Sequence, residues 1–363
     1  MNDTAPLKLS VLDTVPVWYD VPAARSLTEL LELAPAVERL GYHRYWLAEH
    51  HNMPAFGTST PPVLIGRLAA VTDTLRIGSG GVMLPNHTPL VVAEQFATLD
   101  VFHPGRIDLG IGRAPGGEPA TARALRRTDP AHEAGFERQL TDLIEYLTPY
   151  KEDERPPVAV SPAPERPVPV WLLGTSASSA ALAGRLGLPY AFAHHLNPAG
   201  TEAALARYRA EFRPVGLIER PYVAVSAQVV AAPTDEEAEW QAGPIRVAHV
   251  EGPTNPLTLF RTPEGAAGYR LRQSEKDYLD AHFGTQIVGG PASVRRRLAE
   301  FRALTGADEL LAATPVFGVE ARVRSFAILA DAAAGEGAGQ ATAAAAGTAD
   351  PGAASPVSSA SSS

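Results

Sequence analysis

The segment Tyr45–His51 (YWLAEHH) joins a short apolar and aromatic run to an acid and two histidines. Residues Arg44–Ala48 predict a buried strand. Its end is followed directly by Glu49, His50 and His51. Imidazole titrates near neutral pH, so it can donate or accept a proton during turnover. The motif alone is equally compatible with two loop histidines that only make structural hydrogen bonds.

Polar residues follow several other predicted strands in the same way. Glycine, arginine, hydroxyl and imidazole groups occupy these positions: Gly80 and Gly81 after strand 3, Arg113 after strand 4, Thr175, Ser176 and Ser179 after strand 5, and His194 and His195 after strand 6. The carboxyl ends of parallel strands meet at one end of an α/β barrel, where such folds keep their chemistry. The sequence therefore predicts that these residues converge on one site.

The segment Trp171–Ser179 (WLLGTSASS) runs from a predicted strand into a helix through small hydroxylated residues. Free backbone N–H groups and the positive dipole end make a helix start an anion site. Arg113, on the preceding strand, would add a charged fork suited to a phosphate. A hydroxyl that simply caps the helix is the alternative interpretation.

Glycines also punctuate three strand ends, over 78–81, 110–112 and at Gly174. A residue without a β-carbon lets a flat ligand lie against the backbone, although turn glycines have the same pattern. The stretch 110–117 lacks both the GxxxxGK[ST] and the GxGxxG spacing, which excludes P-loop and Rossmann sites. The chain has no GxSxG elbow, which argues against a serine hydrolase.

The histidines are also candidate metal ligands. The acid and imidazole groups in question are Glu49, His50, His51, His87, His194 and His195. Adjacent histidines on one loop rarely face one ion, and no HExxH or facial-triad spacing occurs. We therefore expect no bound metal.

The elements that must position these residues alternate between short apolar runs and amphipathic helices. The predicted strands are 7–12, 44–48, 75–79, 106–111, 168–173, 190–193, 222–230 and 308–313, and the predicted helices are 26–40, 62–71, 90–102, 134–147, 178–186, 200–212, 292–304 and 319–334. Ser26 and Glu29 have the spacing of a capping box at the first helix. Eight strand–helix units predict a (β/α)8 TIM barrel, an α/β fold.

Two segments lie outside this repeat. Residues 240–286 follow strand 7, contain several glycines and prolines, and are expected to be partly irregular and mobile, forming a lid over the barrel mouth. Residues 335–363 are rich in alanine, glycine and serine and hold almost no large apolar side chain. We expect a barrel domain over 1–334 and a disordered tail over 335–363.

Composition limits the function classes. The 363 residues are 45% hydrophobic and 20% charged, as in an ordinary globular protein, and the net charge is −9. The negative balance and the lack of a basic stripe argue against nucleic acid as a partner. The absence of cysteine excludes disulfides and thiolate chemistry. No apolar run is long enough to span a membrane and the first residues do not resemble a secretory signal, so we expect a cytoplasmic protein.

Four segments together resemble the luciferase-like flavin-dependent monooxygenases, the superfamily of the bacterial luciferase α subunit. They are 45–61 (YWLAEHHNMPAFGTSTP), 75–117 (LRIGSGGVMLPNHTPLVVAEQFATLDVFHPGRIDLGIGRAPGG), 171–198 (WLLGTSASSAALAGRLGLPYAFAHHLNP) and 282–298 (HFGTQIVGGPASVRRRL). The similarity spans about residues 7–334. It implies a (β/α)8 barrel, reduced FMN (FMNH2) as cofactor and O2 as co-substrate, with a flavin hydroperoxide that oxidises a small organic substrate.

The resemblance also implies partners and site residues. A separate NAD(P)H-flavin reductase would supply FMNH2, and a homodimer is expected. His50 matches the catalytic histidine, supported by Glu49 and His51, and Gly80–Gly81 matches a cis peptide lying against the flavin. Arg113, Ser176 and Ser179 match phosphate-binding positions. The cofactor-binding set implied in full is Gly80, Gly81, Gly112, Arg113, Thr175, Ser176, Ser179, Phe192 and His194.

Three positions depart from the light-emitting subunit. Gly112, Thr175 and His194 replace its cysteine, glutamate and aromatic residue, which puts light emission in doubt but leaves flavin binding intact. The chain is more similar to the non-luminous single-subunit branch, whose members include enzymes that tailor antibiotics such as aromatic polyketides. A deazaflavin-dependent oxidoreductase and a non-catalytic flavin-binding barrel remain as alternative functions.

Overall fold

The computed structural model describes residues 6–113, 119–125, 135–252, 255 and 257–346. The strands are β1 (Lys8–Asp13), β2 (Arg44–Leu47), β3 (Arg76–Met83), β4 (Ile107–Gly112), β5 (Val170–Gly174), β6 (Tyr190–Ala193), β7 (Val223–Ala231), β8 (Ile287–Gly289) and β9 (Glu309–Ala313). All pairs are parallel, which a strand–helix alternation requires.

Helices connect the strands on the outside of the sheet. They are α1 (Ala23–Arg39), α2 (Pro61–Ala69), α3 (Pro89–Phe102), α4 (Pro119–Ala124), α5 (Phe136–Tyr146), α6 (Ala177–Arg185), α7 (Thr201–Glu211), α8 (Asp235–Glu251), α9 (Pro263–Ala267), α10 (Gln273–Phe283), α11 (Pro291–Thr305) and α12 (Val319–Ala346). In the described part of the chain, no helix is long and apolar enough to cross a membrane.

The sheet closes into a barrel. Its order is β1-β2-β3-β4-β5-β6-β7-β9, and β9 pairs with β1, while β8 pairs with the end of β7 outside this ring. The predicted (β/α)8 TIM barrel is therefore confirmed. Each of the eight predicted strands is present, but β3 continues to Met83 and so contains Gly80 and Gly81 rather than ending before them.

Side-chain alternation along the strands separates the barrel interior from the outer core. On β7, Val223, Val225 and Val229 pack into the main core beneath the helices, whereas Ala224 lies in an interior cluster with Trp46 and Trp171. The two indoles meet edge-on with their centroids 5.0 Å apart. Because a strand has a side-chain period of two, residues 226 and 228 share the interior face.

A buried ion cluster occupies the amino-terminal end of the barrel. Arg44 contacts Asp108 at 2.6 Å and Glu309 at 2.7 Å. Burial alone would lower the pKa of Arg44, but the two carboxylates raise it. Burial would raise the pKa of Asp108, whereas Arg44 and Arg76 lower it. These opposed charges lie at the end of the barrel away from the predicted site, where each buried charge has a partner of opposite sign.

Two local expectations were wrong, the capping box and the end of the last helix. The capping box at Ser26 does not exist, because α1 begins at Ala23 after Pro22. The described part of residues 240–286 agrees with the expectation of a partly irregular segment, since non-helical stretches separate α8, which extends to Glu251, from α9 and α10. The last helix continues to Ala346 instead of ending at residue 334. The disorder expected over 335–363 stays a prediction. Residues 347–363 lie outside the described part, and the domain boundary at 334 stays a prediction.

Candidate active site

A cavity of about 880 Å³ opens at the carboxyl end of the barrel strands. This volume lies in the range of small-molecule and cofactor sites. Most of the predicted site residues line it, from strand ends all around the barrel: His50, Gly80, Gly81, Gly112, Arg113, Thr175, Ser176, Ser179 and Phe192. Glu49, His51 and His194 do not line the cavity.

His50 presents its imidazole to this cavity. Its backbone N–H donates to the carbonyl of Thr58 at 2.8 Å, and its ring stacks on Phe56 at 4.4 Å between centroids. The Nδ1 atom is buried and has no hydrogen-bond partner among the described residues. Desolvation lowers the pKa of His50 to about 4, more than the Glu49 carboxylate raises it. At neutral pH the side chain is therefore an uncharged imidazole with an unused nitrogen.

Glu49 lies behind His50 in a hydrogen-bond network. Its Oε1 is 2.8 Å from Nε2 of His51 and 2.8 Å from Nε2 of His87, and its Oε2 accepts from the backbone N–H of Met83 at 3.2 Å. Burial would raise the pKa of Glu49, but the bonds from His87 and His51 lower it. The carboxylate thus ties the loop after β2 to the end of β3.

The same three side chains could hold a metal ion by spacing alone. One ligand atom each of Glu49, His51 and His87 lies within 4.8 Å of the others. The Nε2 atom of each imidazole is engaged with the Glu49 carboxylate in a hydrogen bond of ordinary length. Through these bonds, Glu49 links His51, on the loop that carries His50, to His87 and to the end of β3.

Small hydroxyl groups gather where α6 begins. Ser176 is the N-cap, and its Oγ accepts from the backbone N–H of Ser179 at 3.3 Å. Ser179 Oγ donates to the carbonyl of Ser176 at 2.8 Å and lies 3.0 Å from the hydroxyl of Tyr190. Arg113 reaches the same cavity from the end of β4. The capping interpretation is confirmed, and Arg113 lines the same cavity from the adjacent strand end, while the anion-site interpretation stays a prediction.

The Gly80–Gly81 peptide bond is cis, as the resemblance implies. Packing against the protein itself also requires glycine at these two positions. A β-carbon on Gly80 would meet Leu12 Cδ1 at 2.7 Å, and one on Gly81 would meet the carbonyl oxygen of Gly110 at 2.7 Å. A flat ligand would favour glycine at these positions from the cavity side, and packing within the barrel wall requires glycine independently.

His194, predicted as a cofactor contact, lies away from the cavity. It is fully buried between Thr201, 2.7 Å from Nδ1, and Thr285, 3.0 Å from Nε2. Its neighbour His195 lines the cavity instead, with Nδ1 2.7 Å from Ser226 Oγ. The prediction for His194 is corrected, because consecutive residues leaving a strand point to opposite sides.

Two cavity residues were missed by the sequence reasoning. Gln228 on β7 and Thr314 after β9 line the cavity, and both are almost fully buried. A polar residue at period two in an otherwise apolar strand, such as Ser226 or Gln228, was the available signal. Desolvation also lowers the pKa of His195 to about 3, so this second cavity imidazole is neutral as well.

Comparison with known proteins agrees with this geometry. A family model described as luciferase-like monooxygenase matches residues 7–309. The chain belongs to this family of flavin-dependent monooxygenases.

Individual relatives match over nearly their whole length. The protein YvbT of Bacillus subtilis (strain 168) is 43% identical over 330 residues, which cover 89% of this chain and 96% of that protein. A luciferase-like monooxygenase of Escherichia coli (strain K12) is 40% identical over 325 residues, which cover 90% of this chain and 96% of that protein. The crystal structure of apo-MsnO8 superposes with a TM-score of 0.80 at 37% identity and covers 90% of this chain and 98% of that one.

Proposed function

We propose that the protein is an FMNH2-dependent monooxygenase that uses O2 to oxidise a small organic substrate. The observation that carries this proposal is the convergence of His50, Arg113 and Ser176 on one cavity. It brings a neutral imidazole and an anion-binding helix start to the same end of the barrel. The family assignment does not favour the deazaflavin alternative, and two uncharged imidazoles in the cavity argue against a purely passive binding protein.

The residues fit a flavin mononucleotide. Arg113 would pair with its phosphate and the hydroxyl of Ser176 would donate a hydrogen bond to it, while Ser179, whose hydroxyl donates to the carbonyl of Ser176, would hold Ser176 in place. The backbone N–H groups at the start of α6 would complete the anion site. The cis Gly80–Gly81 segment presents bare backbone at the cavity wall. Reduced flavin, when bound, supplies the electrons that activate oxygen.

His50 would manage protons beside the reacting atoms. Because its pKa is lowered to about 4, the imidazole is neutral at pH 7 and can accept or donate a proton beside the reacting atoms. Phe56 covers one ring face and keeps water from it. Glu49 and His51 act indirectly, by fixing the loop.

The test is aerobic turnover with a flavin reductase, FMN and NADH under 18O2. Products from a panel of thioethers, ketones and phenols are screened for the mass of one added oxygen atom. We expect His50→Gln to abolish incorporation, whereas His51→Gln, the matched control next to it, loses much less. Equal incorporation by wild type and His50→Gln would refute the proton role, and no incorporation by wild type across the panel would refute the proposed function.

We also propose the source of the reduced flavin, the location of the protein, its substrate class and its oligomeric state. A separate reductase supplies reduced flavin, the protein acts in the cytoplasm, and the substrate is a secondary metabolite such as an aromatic polyketide. A homodimer would form through α2 and α3, which expose Val63, Val91, Val101 and Phe102 to solvent. A cluster of exposed apolar side chains of this kind is typical of an association surface.

The helical insertion would serve as the lid. Ile245, Leu259 and Phe260 line the cavity from this segment. Phe260 holds it to the barrel mouth by packing on Trp18 at 5.4 Å and on Phe56 at 5.7 Å between ring centroids. Protease cleavage within 240–286 should slow when FMN is added. Unchanged cleavage would argue against a lid.

A further inference from the structure

A chain of aromatic contacts links the insertion to His50. The ring of His50 lies on that of Phe56, with 4.4 Å between the centroids and 31° between the ring planes. The ring of Phe56 in turn meets that of Phe260 edge-on, at 5.7 Å and 68°. Phe260 is buried and lies between α8 and α9. Edge-to-face ring pairs at such distances are favourable, so each ring restrains the next.

Backbone hydrogen bonds hold Phe260 and the loop of Phe56 to one segment that follows β1. The N–H of Phe260 donates to the carbonyl of Val17 at 2.9 Å, and its carbonyl accepts from the N–H of Tyr19 at 2.8 Å. The N–H of Val17 donates to the carbonyl of Ala55 at 2.8 Å. Phe260 is therefore fixed at both of its backbone polar groups, although it comes from the distant insertion.

The two cavity imidazoles differ in what orients them. His195 Nδ1 is 2.7 Å from Ser226 Oγ, and this hydrogen bond restrains its ring. His50 Nδ1 has no hydrogen-bond partner among the described residues, whereas its ring packs on Phe56. A side chain without a hydrogen bond can change its rotamer unless packing prevents it. The position of Phe56 therefore affects the orientation of the His50 imidazole.

Resting on the proposed function, we infer that Phe260 is a positioning residue for His50, which acts by holding Phe56 against the imidazole. The insertion then does more than cover the cavity. When it leaves the barrel mouth, Phe56 loses the ring of Phe260 and His50 loses its fixed orientation. Closing of the insertion thus also orients the group that handles protons.

The experiment is NMR of the full chain without flavin, labelled with 13C-histidine. The signals of His50 are assigned by their loss in His50→Gln. The face of a phenyl ring shifts nearby imidazole protons upfield, so Phe56→Leu should remove this shift. Phe260→Leu should remove about half of it or more, because Phe56 is then no longer held in place. Phe260→Met, a second substitution without a ring, should have the same effect.

Phe317→Leu is the matched control. Phe317 packs on Trp18 at 5.1 Å, as Phe260 does at 5.4 Å, but it does not line the cavity and has no described ring contact with Phe56. Its substitution should leave the His50 signals unchanged. A shift equal to that of Phe260→Leu would overturn the inference.

A double variant tests whether Phe260 acts through Phe56. In the Phe56→Leu background, Phe260→Leu should cause no further shift of the His50 signals, since the connecting ring is already absent. A further shift of the size seen in the single variant would show a different route and overturn the inference.

Turnover provides the second readout. In the 18O2 assay, Phe260→Leu should lower kcat about tenfold, as expected when a reacting group is misoriented, with little change in the dissociation constant of FMN. Unshifted His50 signals in both Phe260 variants, or shifted signals with an unchanged kcat, would overturn the inference and leave the proposed function intact. If the signals shift but wild type neither binds FMN nor incorporates oxygen, the proposed function fails and the coupling of Phe260 to His50 stands.

Discussion

His195 Nδ1 lies 2.7 Å from Ser226 Oγ, and this hydrogen bond holds the imidazole at the cavity wall. The residue before it, His194, makes its two hydrogen bonds on the other side of the strand end, to Thr201 and Thr285. Two adjacent histidines therefore have different environments. His194 provides hydrogen bonds to two threonine hydroxyls, whereas His195 provides the second imidazole of the cavity.

Substitutions should separate the two histidines. His194→Ala removes one buried and one part-buried hydrogen bond and should lower the free energy of unfolding by about 2 kcal/mol, because Thr201 is left buried without this partner. FMN affinity should stay the same, whereas His195→Ala should weaken it. Urea unfolding and FMN titration of both variants check this. A larger loss of FMN affinity in His194→Ala would contradict the assignment.

Arg113 should contribute to FMN binding through the phosphate. Arg113→Ala should weaken FMN binding by about 1.5–3 kcal/mol, the range for a hydrogen bond to a charged group. Arg123→Ala is the matched control, since Arg123 is an exposed cation on α4 that does not line the cavity. Fluorescence titration gives both dissociation constants. The same affinity in Arg113→Ala and wild type would remove Arg113 from the phosphate site.

Stability should fall in mild acid because of the cavity imidazoles. Desolvation lowers the pKa of His50 to about 4 and of His195 to about 3 in the fold, while an unfolded histidine titrates near 6.5. The unfolded chain thus binds more protons below pH 6.5. The stability that depends on these groups is complete above that pH and is lost as pH falls toward 4.

As pH falls from 6.5 to 4, protonation of His50 should lower the free energy of unfolding by up to about 3 kcal/mol, at about 1.4 kcal/mol per pKa unit. His50→Gln should therefore flatten the dependence of unfolding free energy on pH. Chemical unfolding of both proteins between pH 7 and 4.5 measures it. Parallel pH profiles for the variant and wild type would show that His50 is not held neutral by burial.

The exposed apolar side chains on α2 and α3 should be covered in solution. Phe102 is 73% exposed and Val63 is 70% exposed in the single chain. Phe102→Glu should convert a dimer into a monomer, because a carboxylate would lose its hydration in the interface. Val215→Glu, an equally exposed valine in the segment before β7, is the control. Light scattering after gel filtration measures the molar mass of each protein. A monomeric wild type would contradict the proposed homodimer.

The fold could be predicted from sequence because its signals are local and repeated. Apolar runs and helical spacing located all eight barrel strands, and strand ends identified where polar residues meet. The direction of a side chain at a strand end is not local. For this reason the sequence predicted His194 instead of His195 at the cavity. Thr314 was not predicted, because its position at the cavity wall depends on the pairing of β7 with β9.

In the insertion, residues 240–286, the sequence signals indicated less helix than the fold contains. Its glycines and prolines suggested irregular structure, but Pro244 is accommodated within α8. Thr234 caps that helix and three acidic residues occupy its first turn, which favours the helix dipole. Likewise β8 is only three residues long, and its pairing with the end of β7 is a tertiary contact that no short pattern announces.

The most direct measurement is an anaerobic titration of the protein with reduced FMN and, in parallel, with reduced riboflavin, which lacks the phosphate. If the cavity holds reduced FMN with its phosphate at Arg113 and Ser176, FMN should bind at least about tenfold more tightly than riboflavin, and Arg113→Ala should remove the difference. Equal affinity for the two flavins, or no binding of either, would contradict the account.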